Sequence, residues 1–204
     1  MPSAWVNERK RDYYYRKAKK ENFRSRASYK LLQAVKKYQF ISPGDVVLDL
    51  GAAPGGWTQV AIQLVEDSGF VLAVDLKPIE PLATSNALAI TGDIREQKII
   101  QDILKFLPRK ADVVISDISP NVSGIWEFDH ARQIDLATHS LRIATCILSA
   151  GGNFFVKVFQ GNITNRFIYD ARQHFSFVKL VKPKASRSQS AELYLLGMHF
   201  KQKK

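Results

Sequence analysis

The sequence has little cysteine and no long apolar segment. Cys146 is the only cysteine among 204 residues, which excludes an internal disulfide framework and fits a reducing cytoplasm. It stands in an apolar helical stretch, where we expect a small core residue. No stretch reaches the roughly 18 consecutive apolar residues of a membrane span, and the N-terminus is charged instead of apolar. We therefore expect a cytoplasmic protein with no membrane segment.

Histidine is also scarce, and the sequence shows no metal-binding pattern. The chain has four histidines, and none lies at the close spacing that metal ligands usually show. We expect no metal and interpret these histidines as surface or core residues. They are His130, His139, His174 and His199.

Negative charge is sparse in the N-terminal part of the chain. Residues 1–40 contain 12 lysines and arginines against 3 aspartates and glutamates, whereas the remaining residues contain 18 against 16. A charge run alone is usually a solvated face, but the tyrosines at 13–15 add stackable rings, which is typical of surfaces that follow a phosphate backbone. We predict RNA contacts at Arg9, Lys10, Arg11, Lys17, Lys19, Lys20, Arg24, Arg26, Lys182, Lys184 and Arg187.

From residue 46 onward, short apolar runs alternate with helical patterns, which predicts βαβ units. The predicted strands are 46–50, 70–76, 87–91, 113–117, 153–159, 175–181 and 192–200. Helices are predicted near 24–38, 56–66, 96–106, 130–149 and 163–173. The connection 182–190 is too short for a crossover helix, so the last two strands should pair antiparallel. The predicted fold class is α/β, a mostly parallel seven-stranded sheet with one antiparallel strand and helices on both faces.

A glycine-rich turn that includes Gly51 and Gly55 follows the first predicted strand, and such turns let a ligand approach the backbone closely. Its spacing is not the G-x-G-x-x-G of dinucleotide sites, and no Gly-Lys-Ser/Thr of a Walker loop follows. Four aspartates stand near the carboxyl ends of consecutive predicted strands, where open α/β sheets bind ligands. They are Asp49, Asp75, Asp93 and Asp117. Such a cleft suits a cofactor with positive charge, such as a sulfonium.

Lys157 stands inside the run 154–159, which otherwise has the pattern of a strand buried on both faces. Burying an unpaired ammonium costs several kcal/mol. This lysine must therefore lose its charge or find partners.

Several motifs resemble the FtsJ/RrmJ ribose 2′-O-methyltransferases, in order and over nearly the whole chain. They are 25–32 (SRASYKLL), 49–57 (DLGAAPGGW), 116–121 (SDISPN), 155–159 (FVKVF) and 186–194 (SRSQSAELY). The resemblance implies the Rossmann-like fold of S-adenosylmethionine-dependent methyltransferases, with S-adenosylmethionine as the cofactor. It implies a catalytic set of Lys30, Asp117, Lys157 and Glu192. It also implies cofactor contacts at Gly55, Trp57, Asp75, Asp93 and Asp117, to which the glycine-rich turn adds Gly51.

The resemblance gives Lys157 a chemical role, because methyl transfer to a ribose requires the 2′-hydroxyl to lose its proton. A lysine held near a second cation, such as Lys30, more readily becomes a neutral amine that accepts a proton. Asp117 and Glu192 favour the ammonium instead, which would orient the hydroxyl or stabilise developing negative charge. The sequence leaves both roles open.

The resemblance predicts an RNA 2′-O-methyltransferase that modifies a uridine of large-subunit ribosomal RNA. Two alternatives stay open: 2′-O-methylation of a tRNA anticodon loop, and a non-catalytic RNA-binding module. A nicotinamide-dependent oxidoreductase is disfavoured by the missing glycine. We expect residues 1–40 to form a basic arm and helix that contact RNA, residues 41–204 to form the catalytic domain, and the protein to be a monomer.

Overall fold

A computed structural model describes residues 12–82 and 84–202, and its centre is a seven-stranded sheet. The strand order is β3-β2-β1-β4-β5-β7-β6. β7 pairs antiparallel with both β5 and β6, and the remaining pairs are parallel. The strands are β1 (Val46–Leu50), β2 (Phe70–Asp75), β3 (Ala87–Thr91), β4 (Ala111–Ser116), β5 (Leu148–Phe159), β6 (Phe175–Val181) and β7 (Glu192–Phe200).

Helices cover both faces of the sheet, because the central strands are apolar at successive positions and so bury both faces. Leu48 and Leu50 of β1 join one core with residues of the helices Ile99–Phe106, Trp126–Ile147 and Thr164–His174, whereas Val47 joins a second core with the helices Ser28–Tyr38 and Gly56–Val65. The predicted fold class is confirmed. The helices of the described residues are α1 (Tyr13–Lys20), α2 (Ser28–Tyr38), α3 (Gly56–Val65), α4 (Ile99–Phe106), α5 (Trp126–Ile147) and α6 (Thr164–His174).

The structure contains one helix that the sequence pattern did not predict. Asp12 caps α1 by accepting a hydrogen bond from the Tyr15 amide at 3.1 Å, which satisfies one of the free N–H groups of the first turn. Ala18 is buried with Tyr29 and Ala185 in a small apolar cluster. α1 is therefore fastened to the domain through Ala18.

The structure also differs from the sequence-based prediction in where some elements begin and in the burial of one residue. α2 begins at Ser28, four residues after the predicted start, and β5 begins at Leu148, five residues before the predicted strand. Cys146 is exposed, so the expectation of a core residue was wrong. Ala144 and Ile147 on either side of it are buried, and a helix that buries one face turns positions such as 146 toward solvent. None of the described helices combines the length and the apolar character needed to cross a membrane.

Candidate active site

The glycine-rich turn after β1 forms one wall of a cleft at the carboxyl ends of the parallel strands. Gly51 has a φ of +74°, and a Cβ there would lie 1.9 Å from Cγ1 of Ile118. Both its conformation and this close approach require glycine. The cleft has a volume of about 610 Å³ and is lined by several of the predicted residues. Those are Gly51, Asp75, Asp93 and Asp117.

Asp75 and Asp93 are held in different ways along this cleft. The two carboxylate oxygens of Asp75 accept hydrogen bonds from the amides of Ala53 and Lys77, at 2.9 and 2.8 Å. Each oxygen keeps a lone pair for a ligand hydroxyl. Asp93 instead receives three hydrogen bonds from the guanidinium of Arg95, at 2.6 to 3.1 Å, and these lower its pKa. Asp75 is thus the aspartate prepared to receive hydroxyls.

Asp49 lies below the surface of the cleft and not along it. Its side chain is buried in β1, where one oxygen accepts a hydrogen bond from the Thr58 hydroxyl at 2.7 Å. Within the described residues its other oxygen has no hydrogen-bond partner. Burial, opposed by the Thr58 hydrogen bond and assisted by the nearby charges of Asp117 and Asp75, raises the pKa of Asp49 to about 7. The expectation that Asp49 borders the crevice was therefore wrong.

Lys157 has found charged partners, which answers the question raised by its apolar strand. Its Nζ lies 2.7 Å from the Asp117 carboxylate, donates to the Asp117 carbonyl oxygen at 2.9 Å, and lies 3.7 Å from the Glu192 carboxylate. Lys157 is 6% exposed, so these contacts compensate a charge that water hardly reaches. The ammonium is placed where β4 and β5 end beside the cleft.

Lys30 completes a cluster of two cations and two anions. Its Nζ lies 2.7 Å from the Glu192 carboxylate and 4.0 Å from the Asp117 carboxylate. Burial would raise the pKa of Asp117, but the charges of Lys157 and Lys30 outweigh burial and lower it. The structure thus brings together Lys30, Asp117, Lys157 and Glu192, which we call the ionic tetrad. It joins α2, the loop after β4, β5 and β7.

Two residues that the sequence reasoning did not single out hold the ionic tetrad in place. The Tyr194 hydroxyl donates to the Asp117 carboxylate at 2.6 Å, and the Ser186 hydroxyl donates to the Glu192 carboxylate at 2.8 Å. Burial, followed by the charges of Asp117 and Glu192, raises the pKa of Tyr194 well above its ordinary value, so it remains a donor. Tyr194 follows Glu192 by two residues on β7, and this period of two was the available sequence signal.

Gly55 and Trp57 are not among the residues that line the cleft. Gly55 has a φ of +104° and precedes the first turn of α3. The Trp57 ring is 3% exposed, stacks on Phe155 at 5.6 Å, and donates through Nε1 to the Ala27 carbonyl at 2.8 Å. The ring therefore anchors the first turn of α3 to the core. The cofactor contact of Trp57 stays a prediction.

The predicted RNA contacts are spread over α1, the α1–α2 connection and the β6–β7 loop. Arg26 pairs with the Asp12 carboxylate and donates to the Ala185 carbonyl. A second pocket of about 220 Å³ is lined by Arg26 and Arg187 together with Lys30 and Glu192. On α1 lie Lys17, Lys19 and Lys20, and in the β6–β7 loop lie Lys182 and Lys184. Arg9, Lys10 and Arg11 lie outside the described residues.

Arg24 differs from the other predicted RNA contacts, because its guanidinium is directed at the protein backbone. It donates to the carbonyl oxygens of Pro54, Glu80 and Pro81 at 3.3, 2.9 and 2.7 Å. The prediction of an RNA contact rested on its positive charge alone. The structure instead places Arg24 between two loops next to the cleft.

Known proteins are similar to this chain in sequence and in fold. A protein from Methanothermobacter thermautotrophicus named ribosomal RNA large subunit methyltransferase E is 50% identical, over 100% of this chain and 96% of that protein. The protein of the same name from Methanococcus aeolicus is also 50% identical, over 98% of this chain and 74% of that protein. A crystal structure of a ribosomal RNA methyltransferase from Plasmodium falciparum has a TM-score of 0.78 and 27% identity, covering 87% of this chain and 98% of that one. A family model described as FtsJ-like methyltransferase matches residues 23–200, and the chain belongs to this family.

Proposed function

We propose that this protein uses S-adenosylmethionine to methylate a ribose 2′-hydroxyl in RNA, on a uridine of large-subunit ribosomal RNA. The observation that carries the proposal is the ionic tetrad, which places a buried lysine amine at the edge of an acidic cleft. The names of the M. thermautotrophicus and M. aeolicus relatives support ribosomal RNA as the substrate. A hydroxyl group that is to be methylated must be oriented and its developing negative charge stabilised, and Lys157 would do both.

The residues along the cleft fit the proposed cofactor. S-adenosylmethionine, when bound, would supply the electrophilic methyl group. Asp75 would accept hydrogen bonds from the two ribose hydroxyls of the cofactor, because each of its oxygens has one lone pair left. Asp117, whose pKa is lowered mainly by Lys157 and Lys30 against the opposing effect of burial, keeps a negative charge that suits a sulfonium.

Lys157 would orient the hydroxyl that is methylated. Two protons of its ammonium are directed at the carboxylate and the carbonyl of Asp117, at 2.7 and 2.9 Å. The third is available to a substrate oxygen, since the Glu192 carboxylate at 3.7 Å is beyond hydrogen-bond distance. As the new O–C bond forms, the hydroxyl proton would pass to solvent water, and the ammonium would stabilise the negative charge that develops on this oxygen. The geometry thus favours the orienting and charge-stabilising role over that of a neutral base.

Lys30 and Glu192 would hold this arrangement ready for the substrate. Glu192 accepts hydrogen bonds from Lys30 at 2.8 Å and from Ser186 at 2.8 Å, which fixes its carboxylate beside Lys157. Groups that are already oriented need no rearrangement when the hydroxyl arrives, and this is how preorganised sites lower a barrier.

The RNA would lie across the basic residues that surround the ionic tetrad. The pocket lined by Arg26, Lys30 and Arg187 borders Glu192 directly, so a phosphate near the methylated ribose would meet cations there. The excess of positive charge in residues 1–40 extends this surface. We further propose that residues 1–40 contact RNA and also supply Lys30 to the ionic tetrad, and that residues 41–204 carry the rest of the catalytic site. We propose that the protein is cytoplasmic, and that it acts as a monomer since one chain supplies all four tetrad residues.

The proposal is tested by incubating the protein with labelled S-adenosylmethionine and four separate acceptors. These are large ribosomal subunits, small subunits, free ribosomal RNA and tRNA, each followed by mapping of ribose methylation. Label in large-subunit RNA at a 2′-hydroxyl of uridine supports the proposal in full. Label only in tRNA would replace the substrate, and binding of RNA with no methyl transfer would favour the non-catalytic alternative.

A further inference from the structure

Arg24 joins the two loops that form the rim of the cofactor cleft. Pro54, which accepts one of its hydrogen bonds, follows Ala53 of the glycine-rich turn. Glu80 and Pro81, which accept the others, belong to the loop after β2 that begins beside Asp75. Ala53 and Asp75 both line the cleft. One side chain therefore fixes the distance between two loops that approach the cleft from different strands.

The backbone of Arg24 is itself fastened to the domain. Its amide donates to the side-chain oxygen of Gln59 at 2.7 Å, and the side-chain amide of Gln59 donates to the Asn22 carbonyl at 3.1 Å. Gln59 belongs to α3, which begins directly after the glycine-rich turn. The guanidinium is consequently held from its own backbone as well as from its hydrogen-bond acceptors.

Gly55 shows how closely Arg24 approaches the turn. A Cβ at this position would lie 2.7 Å from Nη1 and 3.1 Å from Cδ of Arg24. The φ of +104° requires glycine here, and any side chain at this position would also displace the guanidinium from its place over the turn.

We propose that Arg24 is a positioning residue that preforms the rim of the cofactor cleft, and that it is not a contact for RNA phosphates. The identity of the cofactor rests on the proposed function, whereas the connection between the two loops does not. Without this connection, the loop after β2 and the glycine-rich turn would separate more often. Cofactor affinity would fall because the cleft would have to be ordered at the moment of binding.

Three variants and one control separate the positioning role from a charge effect. Arg24→Met removes all donors, and Arg24→Lys keeps the charge but cannot reach three acceptors in two loops. Gln59→Leu keeps every cation and loosens the backbone attachment. Arg16→Gln is the control, because Arg16 is an exposed cation on α1, and its removal takes one positive charge from the same region.

The experiment measures hydrogen–deuterium exchange of residues 51–56 and 76–82 without cofactor, the Kd for S-adenosylmethionine by calorimetry, and RNA affinity at fixed salt. We expect both Arg24 variants to exchange faster in the two loops and to bind the cofactor about tenfold more weakly, as the loss of two or more hydrogen bonds implies. Gln59→Leu should change in the same direction by a smaller factor. Arg16→Gln should leave exchange and cofactor affinity as in the wild type, and Arg24→Lys should keep wild-type RNA affinity.

Two outcomes are decisive in opposite directions. The proposal would be overturned if Arg24→Met left exchange and the cofactor Kd unchanged but reduced RNA affinity as Arg16→Gln does. If Arg24→Lys then restored RNA affinity, Arg24 would be a phosphate contact. If the Arg24 variants exchange faster in the two loops but the wild-type protein does not bind S-adenosylmethionine, the connection between the loops is supported and the proposed function is overturned instead.

Discussion

Replacing Lys157 by methionine should abolish methyl transfer and leave cofactor binding almost unchanged. Methionine preserves most of the volume of the lysine stem in β5, so the apolar surroundings remain filled. The substitution removes the ammonium that would orient the incoming hydroxyl and stabilise its developing charge, and loss of one such donor usually lowers the rate by about 10² to 10³. The Kd for S-adenosylmethionine should change by less than about threefold, because the hydrogen bonds that hold Asp75 are retained and Asp117 keeps Tyr194 and Lys30 as partners for its negative charge.

The expected cost in stability follows from what Asp117 keeps. Removing one partner of a buried ion pair costs about 3–5 kcal/mol when the remaining charge has no other partner. Asp117 retains the Tyr194 hydroxyl at 2.6 Å and the Lys30 ammonium at 4.0 Å. We therefore expect a loss of about 2–3 kcal/mol, at or below the low end of that range, which leaves a domain of this size folded.

The assay is single-turnover methyl transfer from labelled cofactor, combined with calorimetry and urea unfolding of the same preparation. Lys179→Met is the matched control, because Lys179 is also a strand lysine but is exposed on β6. Residual activity above about a tenth of the wild type would be too high for a group that stabilises charge on the reacting oxygen. Such a result would assign Lys157 a structural role in balancing the charges of Asp117 and Glu192.

Three further predictions concern the cofactor, the pH dependence of stability, and RNA. Asp75→Ala should weaken S-adenosylmethionine binding by roughly 1–3 kcal/mol, with Asp67→Ala as an exposed control, and calorimetry that shows equal Kd values would refute the ribose contact. The pKa of Asp49 is about 7 in the folded protein and ordinarily 3.8, so the folded state binds the extra proton and stability falls as pH rises between these values; urea unfolding at pH 5 and pH 8 should differ by roughly 2–3 kcal/mol more in the wild type than in Asp49→Asn. RNA affinity should fall with log salt by roughly 0.7 to 0.9 per phosphate contact, and glutamine at six cations should flatten that slope while activity at saturating RNA survives; an unchanged slope would show that RNA is bound elsewhere. The six are Arg9, Lys10, Arg11, Lys17, Lys19 and Lys20.

The sheet could be predicted because its strands bury apolar residues between clear turn signals. The pattern failed where burial is slight. α1 buries only Ala18, so its sequence shows cations and tyrosines but no apolar stripe. The beginning of β5 contains Gly151 and Gly152, which weaken a strand pattern, and the structure has an irregularity in the pairing of β4 with β5 there. Sequence reasoning thus located the core elements and missed those that the core does not require.

The candidate site was less accessible to reasoning from the residues. A lysine in a buried strand indicates that its charge has partners, but the pattern does not identify those residues. Lys30 and Glu192 are 162 positions apart in the chain, and only the resemblance connected them. Arg24 shows the opposite limit, because the pattern of charges does not reveal whether an arginine faces phosphate or the carbonyl groups of its own protein.

The charge balance of the ionic tetrad explains how a polar site can lie against an apolar core. Two ammonium groups face two carboxylates, so the cluster as a whole has no net charge that burial would penalise. Each carboxylate also accepts a hydrogen bond from a neutral hydroxyl, Tyr194 for Asp117 and Ser186 for Glu192. These neutral donors leave the balance of charge unchanged while they fix the direction of each carboxylate. Lys157 is therefore held in a defined position before any substrate binds, and the cost of burying its charge is met by the same residues that direct it at the substrate hydroxyl.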